Sequence, residues 1–282
     1  MEPILLHALT AILYAALAAH LWNTRWRAHT SSALTQTERL AILAPLLLHS
    51  FLLWSSLFAA PELRFGFGQA LSATLWLTVT LYWVQSLFLR LEGMQPLVLG
   101  LAAICAPLPA LFPGLPSPPY TNAIEFRLHL ALAMLAYGLF TIAALHALLM
   151  TLVERRLHGG AAGAKADHGA LAGPFSSLPP LLTLETLLFR VIGVGFVLLT
   201  LTLATGAIFS ETVFGQALRF NHKTVFAVVS WLIFAALLTG RALHGWRGRV
   251  ALRWTLAGFI SLLLAYVGSR FVLEVILQKP LS

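Results

Sequence analysis

FRLHLALAMLAYGLFTIAALHALLMTL, residues 126–152, holds a single charge, Arg127, in a run of leucine, alanine, phenylalanine and methionine. About 20 apolar residues in a helix cross the roughly 30 Å hydrocarbon core of a bilayer, because each residue rises about 1.5 Å. The stretch is therefore read as a membrane span. Seven more runs of this kind flank it, at about 2–22, 38–60, 69–91, 94–112, 187–210, 223–244 and 251–276. Of the 282 residues 59% are hydrophobic and 10% charged, whereas a soluble domain carries about 25% charged residues. Too little polar surface remains to cover this chain in water. In lipid each backbone N–H and C=O needs a partner within the protein, so the spans are helices. The expected fold class is all-α: a polytopic transmembrane helical bundle of about eight spans, forming one domain over residues 1–282.

The net charge of +8 sits in short connections between apolar runs, where it orients helices against anionic lipid. Membrane lipid is the expected partner, and nucleic acid is not. Twelve basic residues fall in the connections after spans one, three, five and seven, among them Arg25, Arg27, Arg39, Arg155, Arg241, Arg247 and Arg249, against six elsewhere. Basic loops stay in the cytoplasm, so both termini are expected on the outer, periplasmic side of a bacterial inner membrane. The first apolar run lacks a basic leader and a clear cleavage site, and reads as a retained helix. Pro107 and Pro109 should break the fourth run, and a Pro-rich connection follows at 113–119. The longest soluble piece is 157–184, Gly/Ala-rich at first and expected to be flexible and cytoplasmic. Gly193, Gly195 and Gly206 offer small surfaces for close helix approach.

Cys105 is the only cysteine, so the chain has no internal disulfide, no CxxC relay and no CxxCH attachment site. No HExxH, P-loop or GxSxG stretch occurs, which removes the usual signatures of zinc hydrolases, NTPases and serine hydrolases. The acidic residues Glu62, Glu125, Glu185, Glu211 and Glu274 lie near span ends, and a mid-span carboxylate of the kind proton-coupled pumps use is missing. Trp246, Arg247 and Arg249 read as an interfacial anchor.

Histidines carry the chemical signal. His49 lies near the middle of the second span, and His129 near the outer end of the fifth. His146 lies deeper on that same span, and His222 heads the seventh on the outer side. His7, His20 and His244 lie near span ends, while His29, His158 and His168 fall in loops. Two imidazoles on facing helices can clamp a haem iron; a neutral imidazole can equally hydrogen-bond a neighbouring helix and do nothing else.

LPPLLTLETLLFRVIGVGFVLLTLTLATGAIF (178–209) and HKTVFAVVSWLIFAALLTGRALHGWRGRVALRWTLAGFISLLLAYVGSR (222–270), with RLHLALAMLAYGLF (127–140) before them, resemble the CcsA-like cytochrome c assembly family, most closely its YpjD branch. The resemblance runs over essentially the whole chain and is strongest from about 175 to 270. It implies haem handling at the outer face and partners among cytochrome c maturation proteins or apocytochrome. Core members carry a motif of the form WGxxWxWDPKExW. The equivalent here is FGQALRFNHKTVF, in which Leu218 and Phe220 replace tryptophans, Asn221 the aspartate and His222 the proline, while Lys223 remains. By the resemblance His129 is the outer haem histidine and His49 the lone histidine of span two. Thr239 and the region of Leu277 stand where other family histidines fall. The implied function is binding of haem, of b type, by His49 and His129, with His222 as an alternative partner of His129, and no complete synthase site. A small-molecule transporter on the same scaffold and a non-catalytic membrane partner are the competing readings.

Overall fold

Within the described residues each of the eight apolar runs is helical, the fourth as two separate helices. The computed structural model describes residues 2–27, 34–57, 64–88, 94–114, 121, 123–159, 181–214 and 221–277. The helices are α1 (Glu2–Leu21), α2 (Gln36–Leu57), α3 (Phe67–Phe88), α4 (Gln95–Cys105), α5 (Leu108–Leu111), α6 (Ile124–Gly159), α7 (Leu181–Phe214), α8 (His222–His244) and α9 (Gly248–Leu263). A π-helical turn, Trp22–Arg27, follows α1. The helix of α9 runs on through a π turn at Leu264–Gly268, a short α segment Ser269–Phe271 and a second π turn at Val272–Ile276.

Among the described residues six stretches are long and apolar enough to cross a membrane: Ile4–Arg27, Gln36–Leu57, Ile124–Leu152, Thr183–Thr212, His222–His244 and Gly248–Ile276. The other two of the expected eight differ for physical reasons. Helix α3 has 22 residues, but its threonines, serines and glutamines dilute its apolar character. Those polar groups lie largely inside the bundle, with Ser72 and Thr78 fully buried. The fourth run is short, Gln95–Leu111. Pro107 caps α5 and Pro109 lies within it, so the run breaks after Cys105 as the prolines require. Most of the 113–119 and 157–184 connections lies outside the described residues; helix covers the two ends of the latter, to Gly159 and from Leu181.

Helix α6 is the axis of the bundle. Of its apolar window 61% is buried within the protein, against 22–33% in the other five spans. One apolar core gathers α6 to α9 around Phe140, Ile192, Phe234 and Leu262. A second gathers α1 to α4 around Tyr14, Leu46, Val79 and Val98. Polar contacts fix the register. Trp83 Nε1 donates to Arg39 O at 3.0 Å and Trp76 Nε1 to Ser50 Oγ at 2.8 Å, so α2 and α3 run antiparallel. Ser230 Oγ donates to Gly258 O at 2.9 Å and Ser261 Oγ to Phe226 O at 3.1 Å, which does the same for α8 and α9. Thr78 Oγ1 reaches Gly138 O and Thr74 Oγ1 reaches Met134 Sδ, so α3 and α6 run parallel.

Ion pairs staple the end that carries the basic loops. Arg25 pairs with Glu38 at 2.6 Å. Arg241 pairs with Glu185, and Arg249 lies 3.7 Å from Glu154. Helix α8 starts with Asn221, whose Oδ1 accepts from Thr224 N at 3.0 Å, an N-cap. It ends at Gly245 in the left-handed region, φ 63°, a conformation glycine adopts without a Cβ clash. That turn folds Trp246 back over Gly240, where an added Cβ would stand 2.4 Å from the indole.

Candidate functional site

The half of the bundle away from the basic loops holds most of the candidate chemistry. His49, on α2, is fully buried. Its Nε2 lies 2.8 Å from Ser72 Oγ of α3. The ring of Tyr14 meets it edge-on, centroids 5.8 Å apart and planes at 71°. His49 Nδ1 and Tyr14 Oη are both enclosed without a hydrogen-bond partner. Buried polar atoms of that kind are uncommon, and each one asks for a reason. His7, on α1, donates Nδ1–H to Ala106 O at 2.8 Å.

His129 is half-buried on α6. Its Nδ1 lies 3.1 Å from Thr205 Oγ1 of α7. The Thr205 hydroxyl proton is directed to Leu201 O at 2.8 Å, so Thr205 Oγ1 accepts from His129 Nδ1–H. The proton on Nδ1 leaves Nε2 with its lone pair, the form in which a neutral imidazole binds a metal. Gly206 makes room for the ring: a Cβ there would stand 3.0 Å from His129 Cε1.

The two histidines lie at similar depth. Thr74 against Met134 and Thr78 against Gly138 set the register of α3 on α6. Ser72 is then level with Leu132, about one helical turn, roughly 5 Å, from His129. Their neighbours differ. His49 packs against α1 and α3, and His129 against α7. His222 is exposed at the first residue of α8. Residues 215–220, the middle of the motif-like stretch, lie outside the described residues, as do His29 and His168. His146 is buried and donates Nδ1–H to Ile142 O at 2.9 Å, leaving Nε2 without a partner. It lies 17 residues further along α6 than His129, about 25 Å by helical rise. Among the described residues no three His, Cys, Asp or Glu side chains converge on a metal-sized site.

A second polar cluster at this end was not singled out from the sequence. Glu274 Oε2 accepts from Phe67 N at 3.2 Å. Arg270 Nη1 lies 3.6 Å from Glu274 Oε1. Tyr266 Oη donates to Phe65 O at 3.0 Å. The cations of Lys223 and Arg270 lie 5.6 and 5.5 Å from the centroid of the Tyr266 ring. The partners are separated by up to 207 residues, which a local pattern does not reveal. The setting of His7 is hidden from a local pattern in the same way, because its carbonyl partner is 99 residues away.

Comparison with known proteins agrees over most of the chain. The sequence model of the family described as cytochrome C assembly protein matches residues 38–277. Inner membrane protein YpjD of Escherichia coli K12 is 31% identical over 187 residues, 65% of each chain, so the match spans just under two thirds of that relative. An uncharacterized 28.8 kDa protein of Azospirillum brasilense is 32% identical over 217 residues, 73% of this chain and 76% of its own. Cytochrome c biogenesis protein CcsA of Prochlorococcus marinus MIT 9515 is 43% identical over 89 residues, covering 32% of this chain and 28% of its own.

Proposed function

Because the chain belongs to the cytochrome c assembly protein family, we propose that this multi-pass inner-membrane protein binds haem and handles it at the outer face, in support of cytochrome c maturation. The half of the bundle away from the basic loops is then the outer half. The observation that carries the reading is His129: Thr205 holds its proton on Nδ1, Gly206 clears space at the ring, and Nε2 is left to bind iron. His49, with its enclosed and unpartnered Nδ1, is the second ligand candidate. His222, exposed at the head of α8, is the alternative partner for His129. The residues therefore fit haem by donor chemistry. Bound haem would be of b type, since the single cysteine leaves no CxxCH attachment site.

The chain's own residues suit binding better than synthesis. In FGQALRFNHKTVF the motif's tryptophans, aspartate and proline are replaced, so a role as carrier or accessory factor, without thioether formation, follows. Partners would be other maturation components or apocytochrome c. The test is purification in mild detergent, haemin titration and difference spectra for wild type and for His129→Ala, His49→Ala and His222→Ala. A Soret band reduced in His129→Ala supports the reading. Folded protein that takes up no haem refutes it.

A further inference from the structure

The cluster formed by Lys223, Tyr266, Arg270 and Glu274 is built where three elements meet: the start of α3, the head of α8 and the continuation of α9. Arg270 is 7% exposed, and its Nε and Nη1 have no hydrogen-bond partner. Glu274 Oε1 is also enclosed and unpartnered. The 3.6 Å between Arg270 Nη1 and Glu274 Oε1 is too long for a hydrogen bond. Glu274 spends its other oxygen on Phe67 N, so the carboxylate leaves the guanidinium only partly satisfied.

Charge points the same way. Lys223 and Arg270 bring two positive charges around one aromatic ring, and Glu274 supplies one negative. The described side chains of the cluster thus carry an excess of one cation, with guanidinium N–H groups unused in a place where unpaired donors are costly. A planar guanidinium is suited to a carboxylate, which can take two of its N–H groups. The backbone is shaped for the purpose. π turns at Leu264–Gly268 and Val272–Ile276 bracket Arg270, and such turns recur where a helix re-aims side chains at functional sites. Gly66 gives Glu274 its place, because a Cβ there would lie 2.4 Å from Glu274 Oε2.

We propose that Lys223 and Arg270 form a carboxylate-binding subsite at the outer end of the bundle, with Glu274 as the internal carboxylate that holds Arg270 until the ligand arrives. Resting on the haem reading above, the ligand carboxylates are the two propionates of haem. The subsite recognises the acidic edge of the macrocycle, separately from ligation of iron by histidine.

The test compares haemin with its dimethyl ester, in which both carboxylates are blocked, by Soret titration of the full-length protein in detergent. Wild type is expected to bind haemin about tenfold more tightly than the ester, as for one charge-assisted contact. Arg270→Gln and Lys223→Gln should erase most of that preference and leave ester binding unchanged. Glu274→Gln keeps an acceptor for Phe67 N, removes the competing charge, and should raise the preference for haemin. A merely structural cluster would produce no such gain. If Arg270→Gln does not fold, Lys223→Gln and Glu274→Gln decide. Equal binding of haemin and ester by wild type overturns the subsite and leaves the haem reading standing. Uptake of neither by folded protein overturns both.

Discussion

Gly206 lies beneath the imidazole of His129, so that a methyl group at that position would stand 3.0 Å from Cε1. The one-residue neighbour Thr205 accepts from Nδ1 of the same ring. Two consecutive residues of α7 therefore fix the rotamer and the proton of a histidine on α6. Gly206→Val is expected to displace the ring and weaken haem uptake about as much as His129→Ala, roughly tenfold or more. Thr205→Val, which keeps the shape and removes the acceptor, should weaken it less. Soret titration of the two variants checks both.

A second prediction concerns the core. Phe140 of α6 and Phe234 of α8 stack with centroids 4.0 Å apart and planes at 17°. Glycines flank the pair. A Cβ on Gly195 would approach Phe140 to 3.1 Å, and one on Gly258 would approach Phe234 to 2.8 Å. Four helices thus meet through two rings and two bare backbones. Gly258→Ala should destabilise by about 1–3 kcal/mol through overpacking, and Phe140→Ala by about 3–5 kcal/mol through the cavity it leaves. Thermal unfolding in detergent reads both, and a Gly258→Ala protein as stable as wild type would contradict the packing.

The basic end supplies the third. Arg241 pairs with Glu185, donates to Trp246 O at 3.3 Å and lies over the Phe189 ring at 4.6 Å. Glu185→Ala leaves Arg241 partly buried without its carboxylate. Because the pair is only partly shielded from solvent, the expected loss is about 1–2 kcal/mol, shrinking as salt rises. A double-mutant cycle with Arg241→Ala measures the coupling; none would mean that the ring contact alone holds the arginine.

Orientation gives a fourth. In a Cys105→Ala background, Lys165→Cys is expected to resist a membrane-impermeant maleimide in intact cells, as the basic connections predict for its loop. Ser282→Cys should label. Labelling of the first and not the second would invert the topology, and with it the assignment of the outer half.

Most of the helices were legible because they are long apolar runs, and lipid leaves such a run only one backbone solution. The break after Cys105 was legible because proline removes a donor and clashes with the preceding turn. The status of α3 was not: its polar residues point into the protein, and composition does not say which way a side chain faces. Histidines stood out because ionisable groups near apolar runs are costly, and the family resemblance made His129, His49 and His222 the candidates among them. What holds them was hidden, since Thr205, Ser72 and Tyr14 are ordinary helix residues until the helices pack. The depth of His49 was hidden likewise: its position along its own run places it mid-span, and only the register of α3 on α6 brings it within about a turn of His129. Lys223 was visible as the retained lysine of the motif-like stretch, but its meeting with Tyr266, Arg270 and Glu274 was not, because Arg270 and Glu274 read as ordinary span-end charges.

The most direct measurement is an absorption spectrum of the purified, haemin-titrated protein, oxidised and dithionite-reduced, beside His129→Ala and His49→Ala. The account predicts a Soret band that sharpens and shifts on reduction and falls in His129→Ala with the protein still folded. A flat spectrum from folded wild type, or an unchanged band in both variants, would contradict it.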